Sequence, residues 1–276
     1  MTTNGDFRLP QTRGFGETAR RDRWWVQPTV VFLALSAFIV YATFRALENG
    51  YHHYEGGGAQ YLSPFYSPLL FDVPGDPSGH AWFGDKPSWW PALIPFFPAF
   101  FILWGPGGMR FTCYYYRGAY YKAFWADPPN CAVGEPRKGY RGERSFPLIM
   151  QNIHRYFFYP ACAFIAVLAW DGFVATRFTG ADGSTHFGVG LGTIIICMNA
   201  ILLGGYTFGC HCMRHLIGGR LNALAGKPIQ RACYDCVSAL NKRHMLWAWS
   251  SLVWVGFTDF YIRMCASGAW TDWRIF

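Results

Sequence analysis

The chain has 276 residues, 52% of them hydrophobic and 20% aromatic, with only 14% charged. Soluble domains carry about a quarter charged residues, so a single soluble globule is excluded, and the aromatic content excludes disorder. The net charge of +8 raises nucleic acid as a partner until the charges are mapped along the chain.

A hydrocarbon core of about 30 Å takes roughly 17 to 25 mostly apolar helical residues. Residues 1–27 lack the apolar core and small-residue cleavage site of a signal peptide and read as a cytoplasmic N-terminal segment. Residues 28–276 read as a single transmembrane helical domain. Its first span is predicted over Pro28–Leu47, followed by a Gly- and Pro-rich outer connector over 49–88 that reads as loop. The second, Trp89–Gly105, is interrupted by Pro91, Pro95 and Pro98 and is either a span or a re-entrant segment. After a long, irregular and aromatic inner stretch over 106–152, the third span runs from Ile153 to Trp170 with Pro160 inside it. The fourth covers Gly188 to Cys210 and the fifth Met245 to Ile262. Interior prolines are tolerated in membranes, where neighbouring helices satisfy the freed carbonyls. The expected fold is an all-α integral membrane protein, a bundle of about five transmembrane helices with long irregular loops on both sides.

The charges sort by side. The N-terminus, 106–155 and 214–243 hold 19 of the 24 basic residues and net +12, whereas the remainder nets −4. The positive-inside rule places the N-terminus in the cytoplasm and the C-terminus outside, in the cell membrane. The basic excess is then topological, and nucleic acid is not needed as a partner.

Eight histidines and nine cysteines are a large ligand stock. His52, His53, His80 and His186 fall in outer loops, whereas His154, His211, His215 and His244 fall at the inner ends of the last three spans. Inner cysteines read as thiols or metal ligands in a reducing compartment. The densest run is Cys210-His211-Cys212-Met213-Arg214-His215, in which His211 and His215 share a helix face. Imidazole suits iron, and thiolate adds a preference for iron–sulfur chemistry. Taken singly, each histidine also reads as an interfacial polar residue. The Cys233-x-x-Cys236 motif is read as ordinary loop cysteines, and Cys162 and Cys197 as small packing residues. No outer histidine lies within the membrane half that a second haem would need, which disfavours a two-haem path and leaves one redox centre near the inner face. His154-Arg155 and Arg214 stand where cations would hold a quinone carbonyl, or snorkel to headgroups of membrane lipid. Asp259, Tyr261 and Arg263 read as a polar cap at a helix terminus, ahead of a place in a proton route to the outer side. No flavin, nucleotide or dicarboxylate site is visible, so electrons must arrive from another subunit. The aromatic run from Cys113 to Trp125 reads as a belt or as a docking surface.

Five short motifs follow one another in order: Arg110-Phe-Thr-Cys-Tyr-Tyr-Tyr-Arg117, Asn152-Ile-His-Arg155, Gly209-Cys-His-Cys-Met-Arg-His215, Asn241-Lys-Arg-His-Met245 and Thr271-Asp-Trp-Arg274. In these the chain resembles the fused, single-chain membrane anchors of succinate dehydrogenases (complex II), in particular the actinobacterial type with five spans. The resemblance implies a flavoprotein subunit and an iron–sulfur subunit docked at the cytoplasmic face, and electron delivery to quinone near the inner surface. It also implies a Rieske-type [2Fe–2S] centre with two Cys and two His ligands, of higher potential than an all-cysteine cluster. The expected ligands are His211 and His215 with Cys210 or Cys212, completed by Cys113 or Cys131. His154 and His244 stand as substitutes, or as quinone-site residues with Arg155 and Arg214. The sequence has Cys212-x-x-His215 but no C-x-H of the soluble Rieske boxes. Two alternatives stay open: a single-haem b-type cytochrome anchor of the same complex, and a non-redox membrane transporter.

Overall fold

The computed structural model describes residues 14–75, 81–137, 145–146, 148–219 and 222–276. The expectations for His80 and for Arg8, Arg13, Lys138, Arg141, Arg144 and Arg220 in the charge map lie outside the described residues. The chain is mostly helical and groups into two compact units, Met1–Ala37 with Phe111–Asn152, and Phe38–Arg110 with Ile153–Phe276.

Among the described residues, three helical stretches are long and apolar enough to cross a bilayer. They are Val26–Glu48 (α1), Leu148–Val174 (a 3-10 turn followed by α4, His154–Val174) and Leu191–Phe208 (α5). Two of the five predicted spans stand apart from these. The Trp89–Gly105 segment is turns as far as Ala99, and helix α2 covers only Phe100–Phe111. Pro91, Pro95 and Pro98 each remove a helical donor and push the preceding residue out of the α region. The 12 residues of α2 reach about 18 Å, short of the hydrocarbon thickness. The last segment folds as α8, His244–Ala266, 23 residues long like α1, but it carries Asp259 and Arg263 and is less apolar.

In the first unit, α3 (Tyr114–Ala119) leads into a π turn over Tyr120–Phe124. The segment ahead of α1 is stitched to the loop at 127–137: Gly16 N–H donates to Gly134 O at 3.0 Å, and Arg20 donates to Asn130 Oδ1 at 3.1 Å and Cys131 O at 2.9 Å.

In the second unit α4 packs on α5 and α5 on α8, with α6 (His211–Gly218) against α7 (Pro228–Lys242). The outer connector is not all loop. It holds the hairpin β1 (His53–Gly56) and β2 (Ala59–Leu62), joined by Gly57 and Gly58 at φ +58° and +86°, as a two-residue turn with both φ positive requires. Gly58 is needed twice, because a Cβ there would stand 2.5 Å from Thr179 O at the edge of a second hairpin, β3 (Arg177–Thr179) and β4 (Thr185–Phe187). The C-terminal tail closes this end. The Asp272 carboxylate accepts from Gly192 N–H at the start of α5 (2.8 Å), Tyr61 OH (2.8 Å) and Tyr261 OH (2.6 Å), an anion at a helix N-terminus. Burial pushes the Tyr61 phenol up, so it stays a donor.

Asp259, Tyr261 and Arg263 are not a terminal cap. Asp259 is 0% and Arg263 1% exposed. Arg263 Nε donates to both Asp259 oxygens at 3.0 and 2.9 Å and Nη1 to Glu48 Oε2 at 2.9 Å. Arg45 reaches the same Glu48 oxygen at 2.6 Å. Tyr41 donates to Asp259 at 2.6 Å, Ser63 also bonds Asp259, and the carbonyls of Arg45 and Gly50 accept from Arg263. Removing one partner of a buried pair leaves an uncompensated charge and costs about 3–5 kcal/mol, whereas replacing both by apolar groups is close to neutral. Arg263→Met is therefore expected to lower the thermal midpoint of the solubilised protein sharply. The double change Arg263→Met, Asp259→Leu is expected to recover most of it.

Candidate functional site

Three helix ends of the second unit meet at the end opposite the hairpins. His154 opens α4, His244 opens α8, and α5 stops at Phe208 just before Cys210. Gly209 and Cys210 interrupt what would otherwise be one long helix. Cys210 takes extended dihedrals (φ −69°, ψ 149°) as the N-cap of α6, and its Sγ accepts from Cys212 N–H at 3.4 Å. That turn carries the Cys210 thiol inward, where it is 2% exposed and 3.1 Å from His154 Nε2. His154, Cys210 and Cys212 form one group whose ligand atoms all lie within 4.8 Å of one another. The Cys210 thiol beside it holds Cys212 below the ordinary thiol range, with a smaller contribution from Arg155 and against the opposing effect of burial. The positive ends of α4 and α8 face the same region and favour thiolate.

His244 is 1% exposed and stacks on Tyr206, ring centroids 5.0 Å apart at 18°. The other face of chemistry at Tyr206 is Arg110, whose guanidinium carbon lies 4.8 Å from the ring centroid. Arg110 donates to Ala248 O at 3.1 Å and to Ser251 Oγ at 3.0 Å. Tyr206 and Arg110 form a polar edge of an otherwise apolar cavity of about 180 Å³, lined among others by Phe38, Leu103, Met109, Phe164, Leu203 and Val255.

The other expected site residues fall elsewhere. His211 and His215 are exposed on α6 and pair with each other, Nε2 to Nε2, at 2.9 Å. Burial, then His215 and Arg214, pull the His211 pKa down. Arg214 donates to Tyr234 OH at 2.8 Å and Asn241 Oδ1 at 3.3 Å, and Arg155 is exposed. None of His154, Arg155, Arg214 and His244 lines the apolar cavity. Cys113 (buried) and Cys131 (exposed) belong to the first unit, and Cys233 and Cys236 are exposed on α7. The sequence gives Arg110 and Tyr206 no site role: Arg110 opens the first motif and counts in the topological charge, and nothing local sets Tyr206 apart from fifteen other tyrosines.

Gly209 fixes this geometry by its size. A Cβ there would stand 2.6 Å from Gly205 O, 3.2 Å from Leu240 Cβ and 3.4 Å from His244 Nδ1. Gly209→Ala is expected to cost about 1–3 kcal/mol through overpacking, read as a lower thermal midpoint, whereas alanine at Gly107, where nothing stands within 4 Å, is expected to cost no more than ordinary surface changes.

The family described as actinobacterial succinate dehydrogenase subunit SdhC matches residues 26–268. A solved structure, the Mycobacterium smegmatis Sdh1 complex in the apo form, contains a chain 43% identical to this one, with a TM-score of 0.82 over 97% of this chain and 98% of that chain. No match is found among curated proteins. The chain belongs to the actinobacterial succinate dehydrogenase subunit SdhC family, as a membrane subunit of that oxidoreductase complex.

Proposed function

We propose that the chain is the quinone-reducing membrane anchor of its complex, docking the flavoprotein and iron–sulfur subunits at the cytoplasmic face. The charge asymmetry of +12 against −4 supports a cytoplasmic N-terminus and an outer C-terminus. That orientation needs an odd number of crossings, a condition that the three apolar spans meet and that adding α8 together with the segment ending in α2 would preserve. In α8 the pairing of Asp259 with Arg263 removes the net charge that would oppose insertion.

The observation that carries the redox reading is the grouping of Cys210 and Cys212 with His154. With His244 at the head of the neighbouring helix, the second unit offers two thiols and two imidazoles, the donor set of a Rieske-type [2Fe–2S] centre. We assign His154, His244, Cys210 and Cys212 as its holders, in preference to the exposed His211 and His215. Bound there, the centre supplies one-electron transfer at a potential above that of an all-cysteine cluster. A haem reading is less favoured, because the Cys210 thiol stands 3.1 Å from the His154 nitrogen that would face the iron. The chain's own residues do the rest. The apolar walls of the cavity exclude water, and the Arg110 guanidinium at its edge favours a quinone carbonyl that gains charge on reduction.

His154→Ala and His244→Ala are expected to abolish the reduced-cluster EPR signal and to lower succinate–quinone activity by about 100-fold or more, beyond the effect of an outer-shell change. His211→Ala and His215→Ala should leave the signal in place. A haem α-band in the reduced-minus-oxidised spectrum would overturn the assignment. Cys212→Ser is expected to abolish or shift the same signal, and an unchanged signal would overturn Cys212 as the second thiolate.

Arg110→Gln is expected to lower kcat/KM for quinone by about 10- to 100-fold, the range for losing a charged hydrogen bond, with the EPR signal unchanged. An unchanged kcat/KM would remove the cavity from the quinone path.

A further inference from the structure

The α6–α7 pair encloses a second cavity that the redox reading does not use, an open space of about 540 Å³. Its chemistry is basic. Arg214, Arg231, His211 and His215 line it together with Tyr234, and Asp235 is the acid among its lining residues. Arg214 is held in place by Tyr234 and Asn241, which fixes the direction of its guanidinium at the cavity wall. Small residues shape the wall: a Cβ at Gly219 would stand 2.9 Å from His215 Nδ1, and one at Gly218 2.9 Å from the Tyr234 ring.

We infer that this cavity binds a phosphate group, that of an anionic phospholipid headgroup or of free phosphate. A pair of histidines four residues apart also invites a divalent metal ion. The surrounding charge decides against it, because two guanidiniums oppose a cation and the single carboxylate is already 3.8 Å from Arg231. For an anion the same charges attract, and Arg and Tyr supply donors in the geometry that phosphate oxygens accept. The position fits a headgroup. The cavity begins directly after α5, a membrane-length helix, and basic pockets at that level take anionic headgroups. Leu216 on α6 and Ile229 on α7 are 47% and 81% exposed, apolar side chains placed for acyl chains.

The test uses the assembled complex in nanodiscs of phosphatidylcholine alone or with added phosphatidylglycerol, read by native mass spectrometry with inorganic phosphate as a competitor. Wild type is expected to retain phosphatidylglycerol selectively. Arg214→Gln and Arg231→Gln are each expected to weaken retention about tenfold or more, as loss of a charge-assisted hydrogen bond does, with Arg214→Lys between. Displacement by inorganic phosphate assigns the site to free phosphate, and retention in its presence assigns it to the lipid. If Arg214→Gln fails to assemble, the exposed Arg231→Gln and His215→Gln carry the comparison. Equal retention in wild type and these variants, or no binding of either probe because a partner subunit fills the cavity, overturns the inference. Neither outcome bears on the EPR signal, so failure here is distinct from failure of the redox reading.

Discussion

An ionised side chain among apolar helices must bring its counter-charge with it, because no water is there to solvate it. Arg263 meets that constraint by binding Asp259 one turn away and Glu48 at the end of α1. The i,i+4 partner neutralises the helix, and the distant one fixes α8 against the second half of α1. Carbonyls of Arg45 and Gly50 accept from the other two guanidinium nitrogens, so the charge is paired and every guanidinium nitrogen is hydrogen-bonded, the condition under which burial is tolerated. Along its length α8 is also tied to α5, where Trp254 Nε1 donates to Ile195 O at 3.0 Å. With one end and the middle held, the other end follows. His244 lies about 28 Å away along the same helix at 1.5 Å per residue, where it stacks on Tyr206 of α5.

The cluster end is set by an interruption rather than by a helix. A continuous helix through 208–212 would space Cys210 and Cys212 about 200° apart around its axis, on different faces. The extended residue at 210 breaks that periodicity and lets both thiols approach His154. Gly209 permits the break because the chain there passes within van der Waals contact of α7 and α8. Capping usually recruits a hydroxyl or carboxylate. Here a thiol accepts from the helix N–H, and the weak acceptor is left with capacity for other chemistry.

Much of this was legible in the sequence, and the parts that were not share a cause. The apolar run of α1, the prolines that shorten α2 and the helix starts at His154 and His244 are local signals. The crowding of Cys and His at three helix ends followed from topology alone. The i,i+4 spacing of Asp259 and Arg263 was visible, but Glu48 stands 215 residues from Arg263, and without it the pair reads as a terminal cap. The spacing of His211 and His215 was equally visible, and in the fold their imidazoles turn to each other in the open. The hairpin at 53–62 was missed because its strands are four residues each, too short for alternation to stand out, although Gly57-Gly58 was the turn signal. Arg110 was counted as one more topological charge, and only packing shows what its guanidinium touches.

That last point separates two kinds of basic residue that composition merges. Positive-inside charges need only lie on one side of the membrane, and their side chains are free to wander in water. Arg110 and Arg214 are held: the first by a carbonyl, a hydroxyl and an aromatic face, the second by a phenol and an amide. Ordering a long arginine side chain costs conformational entropy of about 2 kcal/mol, and orientation of the chain in the bilayer would not require it. A cation fixed in this way has its direction as well as its charge determined by the fold, which is the property a binding site needs and a topological signal does not. Arg263 is held as firmly, but by the carboxylates of Asp259 and Glu48, whereas Arg110 and Arg214 each line a cavity.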